Sequence, residues 1–470
     1  MINDIAIKQY PIESENKFGI FGEFLNKFMH SFYYFGLLVI LSFVAYITKI
    51  PEICIVPTFI LFGLSLIFVD DITPVIMAIF IIPSCLPSGT TPDNALYLIF
   101  YLPICLVPAV YHIIKYKANK KWGKFALPQL VVSIALILGG IGSTISAEQY
   151  SKGLVQAMTL GFLTLILYLL CINYFKPQKD FDLFVAKAMT AIGFSLVLDH
   201  FVVLFFNPDY KFIEVTHDII GTGAYVSTNM AMLYLVTAPF AFYIGSKKTK
   251  MNILYYFLGM LEFAACFFTY SKGGILMMLV TLPCCIIYSL FKANNKKTTW
   301  LYFGIFFIIA LAVVLTYLDN FKIIIKNILE IVEDSNLNEF SSGRILLYKE
   351  GLEVFCMFPL FGAGMGYTSP TQINSVIDFF QFHSTFIQII ACMGMFGLVA
   401  YAYNYIVKYK IICKSLRKST FSAFVLFAML GFEGYSMIDC GMFIPMPFVF
   451  LVTILVAAIE QNNIMVEVKK

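Results

Sequence analysis

Residues 32–49 read FYYFGLLVILSFVAYITK. No charge interrupts the run before Lys49, and a bilayer's hydrocarbon core is crossed by about 20 apolar residues in a helix. The 31 residues before it are mixed polar, with Lys8, Lys17 and Lys27 against Glu13, Glu15 and Glu23. The run therefore reads as a signal anchor that stays in the chain rather than a cleaved leader. Runs of the same kind recur at 53–69, 72–87, 95–115, 126–145, 154–174, 182–205, 222–245, 251–269, 273–291, 300–317, 382–406, 420–437 and 441–460. The expected fold is thus an all-α polytopic transmembrane bundle of about 14 spans.

Composition points the same way. The 470 residues are 60% apolar and only 13% charged, whereas soluble domains carry about 25% charged residues. So few charges cannot clothe a water-facing surface. The 49 Phe and 28 Tyr suit lipid-facing and interfacial positions. The 11 cysteines form no CxxC and no Cys/His cluster, so they read as small core residues rather than metal or disulfide chemistry.

The cations give the chain its sides. Lysines cluster at 115–124, 176–179, 247–250, 292–297, 408–418 and 469–470. Basic loops stay in the cytoplasm, and with a cytoplasmic N-terminus and 14 spans every cluster falls inside. Both termini are then cytoplasmic. Residues 1–31 form a cytoplasmic segment, 32–317 hold spans 1–11, 382–460 hold spans 12–14, and 461–470 form a tail. The outer loops are 50–52, 88–94, 146–153, 206–221, 270–272, 318–381 and 438–440. Loop 318–381 is far the longest, and loops of that length are usually functional or disordered. Within it, 322–332 and 343–356 carry apolar residues at helical spacing, which predicts short amphipathic helices at the membrane surface.

Three outer-face residues stand out as candidates for chemistry. Lysine is the default cation here, with Arg344 and Arg417 the only arginines. An outer-loop arginine suits bidentate phosphate binding. Ser341 and Ser342 are N-cap choices that put Arg344 in a helix's first turn, where free N–H groups also favour anions. His383, at the outer start of a span, suits a general base. Lys272, in TYSKGG between two spans, is a cation where positive charge is disfavoured. The plainer readings are an interfacial arginine, a histidine anchoring a helix end and a snorkelling lysine. Asp199 and His200, inside a span, are weaker candidates. The run Gly362-Ala363-Gly364-Met365-Gly366 lacks the strand–turn–helix setting of a nucleotide loop and reads as a tight turn. No nucleotide-sugar, metal or nucleic-acid motif is present.

The strings TYSKGGILMMLV, SSGRILLYKEGLEVFCMFPLFGAGMGY and FHSTFIQIIACMGMFGLVAY, together covering about 265–405, resemble the O-antigen ligase and O-antigen polymerase (Wzy-like) superfamily of bacterial envelopes. The resemblance puts Lys272 at the family's first basic position, Arg344 at its loop arginine and His383 at its catalytic histidine. Pro359, Gly362 and Gly364 match its glycine segment, and Gln388, Gly394 and Gly397 the helix after the histidine. Two positions depart from the pattern, Lys272 for the usual Arg and Ser384 for the usual Asn. The resemblance implies an enzyme of the bacterial cytoplasmic membrane. It would move a glycan from a polyprenyl-diphosphate carrier to an acceptor hydroxyl on the outer leaflet, without cofactor or metal. Arg344 and Lys272 would stabilise the leaving diphosphate and His383 would be the base. Ser342, Gly362, Gly364, Ser384 and Gln388 would bind substrate. Direct attack would invert the anomeric centre. Partners would be lipid-linked glycan, acceptor glycan or lipid, membrane lipids, and a chain-length regulator or flippase. The rival reading, a flippase of lipid-linked glycans, should show symmetric halves or midplane charges. The sequence shows no such halves, and its candidate charges concentrate on one outer face.

Overall fold

The computed structural model describes residues 19–86, 100–116, 121–141, 147–176, 180–206, 221–222, 225–247, 251–316, 344–367, 382–444 and 448–468. They are overwhelmingly helical. In chain order the helices are α1 (Gly19–Met29), α2 (Phe32–Thr48), α3 (Glu52–Phe68), α4 (Thr73–Ala78), α5 (Pro103–Lys115), α6 (Ala126–Leu138), α7 (Ala147–Gln156), α8 (Thr164–Tyr174) and α9 (Phe181–Phe206). They continue with α10 (Ser227–Lys247), α11 (Asn252–Phe267), α12 (Lys272–Lys292), α13 (Lys296–Thr316), α14 (Arg344–Met357), α15 (Thr385–Leu416), α16 (Thr420–Ser436) and α17 (Phe448–Val468). A 3-10 segment extends α4 to Cys85, and a π segment, Ala157–Leu163, joins α7 to α8. Two residues on each side, Gly221–Thr222 and Tyr225–Val226, make a small antiparallel pairing.

Among the described residues, five helices are long and apolar enough to cross a membrane: Tyr150–Tyr174, α9, α10, α12 and α15. The pair α1 and α2 meets the same test together but bends by 70° at its junction. Seven further apolar helices are 10–17 residues long. The architecture is thus the expected multi-pass helical bundle, with spans less uniform than the apolar runs suggest. The third expected span, 72–87, is only the short α4 with its 3-10 extension. Predicted helix 322–332 and residues Ser341 and Ser342 lie outside the described residues.

The bundle is organised around α10. Its apolar residues run around the whole circumference, the pattern of a helix enclosed on all sides, and nearly every residue of it is buried. It packs against α9, α11, α12 and α16. By contrast α13 turns Trp300, Phe307, Ile308 and Leu315 outward, as a lipid-facing helix would.

Helix α15 differs from the expected span 382–406. Gly394 has φ 62° and ψ −155°, a region essentially confined to glycine, and it breaks the helix into Thr385–Met393 and a longer part. Residues 395–416 supply about 33 Å of helix at about 1.5 Å per residue, enough to cross the hydrocarbon alone. The stretch 408–418, expected as a cytoplasmic loop, is therefore helical as far as Leu416. Lys408 is tolerated there because its ammonium pairs with the buried carboxylate of Glu433 on α16. Tyr409 donates to the same carboxylate at 2.6 Å, and the Tyr405 ring lies 4.0 Å from the Lys408 nitrogen.

The break is filled from outside the helix. The segment after α14 lays its backbone into it. Ala363 and Gly364 N–H groups donate to the Ala391 and Cys392 carbonyls at 2.8 and 2.9 Å. Met395 and Phe396 N–H groups donate to Pro359 and Leu360 carbonyls at 2.8 and 3.1 Å. Four backbone groups orphaned by the break are thereby paired, as burial away from water demands. Gly362 and Gly364 are required for this approach. Both have positive φ, and a Cβ on Gly362 would collide with the Cys392–Met393 peptide.

Candidate functional site around the turn after α16

Helix α16 ends at Ser436, and the turn that follows, 437–444, is where α12 and α15 begin and which α14 also reaches. Helix α12 starts beside it because Gly273 has no side chain. A Cβ there would strike the Tyr435 ring and the Ile438 side chain. Ser271, the N-cap of α12, accepts from the Gly274 N–H at 3.3 Å and is hydrogen-bonded to the Tyr435 hydroxyl. Helix α14 reaches the same turn through Arg344, its first described residue, which donates to the Ile438 carbonyl. Helix α15 starts there too, through a 2.6 Å hydrogen bond between Thr385 and Ser436. A helix start carries unpaired N–H groups and a partial positive charge. Two such starts, with the Arg344 guanidinium beside them, make an electropositive corner suited to an anion.

Asp439 sits in that corner and is almost fully buried. One carboxylate oxygen lies 3.5 Å from Nη2 of Arg344 and the other 3.2 Å from Nδ1 of His383. The second oxygen also accepts the Cys440 N–H at 2.7 Å. Burial alone would push the carboxyl up; the His383 hydrogen bond and charge, with Arg344, outweigh it and hold Asp439 below the ordinary carboxylate value. An ionised carboxylate only accepts, so Nδ1 of His383 must be the donor of this pair. The proton then sits on Nδ1, and Nε2 is left as the basic nitrogen.

His383 itself is held in a left-handed conformation, φ 47°, which is uncommon for a residue with a side chain. Its flanks are pinned. The Phe382 N–H donates to Oε1 of Gln388 at 2.8 Å, and Tyr348 on α14 donates to the His383 carbonyl at 3.0 Å. Ser384 then caps α15 by accepting the Ile387 N–H. Arg344 and Tyr348 lie one turn apart on α14, so one face of that helix reaches both Asp439 and His383.

The residues expected from sequence fall into two groups. Arg344 and His383 meet through Asp439. Lys272 is exposed as the first residue of α12, next to the glycine that seats this helix on the Tyr435–Ile438 turn. Ser384 is a buried helix cap. Gln388 is 1% exposed and lies beneath the site. Gly362 and Gly364 are buried in the break of α15. Asp199 and His200 are elsewhere, buried in α9, with His200 within 3.3 Å of the Tyr234 hydroxyl. Ser342 is outside the described residues. Asp439 is the residue that sequence reasoning passed over. Its signal was a carboxylate alone in the three-residue loop 438–440 between two spans.

Among the described residues no group of three His, Cys, Asp or Glu side chains is placed to hold a metal ion.

Residues 256–402 match the family described as O-antigen ligase, the resemblance expected over 265–405. The matched segment holds Lys272, Arg344, His383 and Gln388, while Asp439 lies beyond it. No curated protein matches the chain.

Proposed function

From a segment of O-antigen ligase type, we propose that this chain is a membrane glycosyltransferase of cell-envelope polysaccharide synthesis. It transfers a glycan from a polyprenyl-diphosphate carrier to an acceptor hydroxyl on the outer leaflet. The observation that carries the reading is the pairing of Arg344 and His383 through Asp439, on the turn against which α12, with Lys272 as its first residue, is seated.

The chemistry follows from those groups. The acceptor oxygen attacks C1 of the first sugar, and the bond from C1 to the diphosphate oxygen breaks. The electron pair leaves with the diphosphate, which stays on its lipid. Nε2 of His383 takes the acceptor proton. Asp439 fixes the tautomer that makes this possible and stabilises the imidazolium that forms. Arg344 has five N–H donors, and its bonds to Asp439 and the Ile438 carbonyl hold the guanidinium in place while others meet the growing charge. Lys272 adds a second cation. Pre-placed charges of this kind act most strongly where water is excluded. Attack from the face opposite the diphosphate inverts the anomeric centre, and no step calls for a metal or nucleotide.

The lysine pattern and the apolar runs support fourteen spans, cytoplasmic termini and an outward-facing site in the bacterial cytoplasmic membrane. Of polymerase and ligase we favour the polymerase, with a second lipid-linked repeat unit as acceptor. A flippase and a chain-length regulator would be its functional neighbours.

The test is direct. Purified protein is given lipid-linked oligosaccharide in detergent and the products are sized. Longer glycans are expected, and none with His383→Ala or Arg344→Ala. Movement of the lipid across liposomes with no elongation would mark a flippase instead. Transfer only to lipid A core would mark a ligase.

A further inference from the structure

Gln388 matches a position that the family resemblance marks for substrate, yet the structure buries it. Its Oε1 accepts the N–H of Phe382, the residue before His383, at 2.8 Å. The same atom lies 3.6 Å from Sγ of Cys440, the residue after Asp439. Its Nε2 is 3.3 Å from Sγ of Cys392. One amide oxygen therefore touches the two segments that carry the two halves of the His383–Asp439 pair. Tyr348 completes the brace from α14 through the His383 carbonyl at 3.0 Å. A left-handed histidine persists only where its surroundings over-determine it, and the Phe382 N–H and the His383 carbonyl are the handles on either side of its backbone.

We infer that Gln388 and Tyr348 are positioning residues that hold His383 in its left-handed conformation against Asp439, and that neither contacts substrate. The inference rests on the glycosyl-transfer reading of the site.

The test uses the full chain in the elongation assay, with Gln388→Met, Gln388→Glu and Tyr348→Phe. Met keeps the length of Gln388 and removes its acceptor. Glu restores an oxygen at the same place. Phe removes only the hydroxyl. Gln388→Met and Tyr348→Phe should each lower kcat about tenfold or more, the scale of a misplaced base, with KM for the lipid-linked donor and for the acceptor within twofold of wild type. Gln388→Glu should recover most of the kcat lost in Gln388→Met. Tyr348→Phe decides alone if Gln388→Met does not fold, since the half-buried ring stays in place. Unchanged kcat in the folded variants, or a raised KM at unchanged kcat, would overturn the brace. If wild type itself forms no glycosidic bond, it is the functional reading that has failed.

Discussion

Asp439→Asn removes one charge and almost no volume. In wild type the carboxylate accepts from Nδ1 of His383 at 3.2 Å and faces Nη2 of Arg344 at 3.5 Å. An asparagine can offer the imidazole its N–H₂ group, which draws the proton to Nε2 and leaves no base where the acceptor hydroxyl must bind. General-base catalysis is worth about 10²–10⁴ in rate, or about 3–5 kcal/mol at about 1.4 kcal/mol per decade. The fold should lose much less. Arg344 keeps its bond to the Ile438 carbonyl and its side chain is 24% exposed, so it hydrates rather than standing bare. The cost should be about 1 kcal/mol, as for a partly exposed pair. The assay is elongation of lipid-linked oligosaccharide at saturating substrate, with thermal unfolding in the same detergent. Expected is a kcat lower by about 10²–10⁴ in a protein melting within a few degrees of wild type. Asp439→Asn at more than a tenth of the wild-type kcat would refute the tautomer argument. The pH dependence has a definite sign. A carboxyl held below its ordinary value adds stability above about pH 4, lost as pH falls through the depressed value. The variant should lack this acid-side loss.

Other outcomes follow from the geometry. Lys272→Arg should keep activity and Lys272→Ala should lose about 10²–10³-fold of kcat in the same assay, the scale of one charge-stabilising donor. Gly394→Ala should lower the yield of folded protein sharply on size-exclusion chromatography, because its φ is 62° and its Cβ would lie 2.6 Å from the Leu360 carbonyl. Gly304→Ala, with nothing within 4 Å of the new Cβ, is the neutral control. Lys408→Met should destabilise by about 3–5 kcal/mol, whereas Lys408→Met with Glu433→Met should recover most of that loss, as buried ion pairs do when both charges leave. Denaturant unfolding of the three proteins decides it.

Much of the bundle was legible because apolar runs and helices share one cause, the need to pair every backbone group in hydrocarbon. Arg344 and His383 were legible for another reason: an arginine in a lysine-rich chain and a histidine at a helix start each stand out locally. Asp439 was not. Its meaning lies in contacts 56 residues back to His383 and 95 back to Arg344, which no spacing rule reaches. The break at Gly394 was hidden too, because glycine is common in membrane helices. Only the partner segment 359–364, laid into the gap, shows that this glycine is conformationally required. Lys408 misled for a related reason. A lysine near others reads as loop until the carboxylate opposite it is known.

The Lys408–Glu433 pair bears on how the chain enters the membrane. Either side chain alone, lodged in lipid, carries an insertion penalty of about 3 kcal/mol. The turn at 417–419 between α15 and α16 is short, so each charge finds its counter-ion as soon as both helices exist. The two helices should therefore leave the insertion machinery as a hairpin, not one after the other. His383 precedes the first arm and Asp439 follows the second. A hairpin delivers its two ends to the same side, so the step that hides the buried charges also brings His383 and Asp439 together.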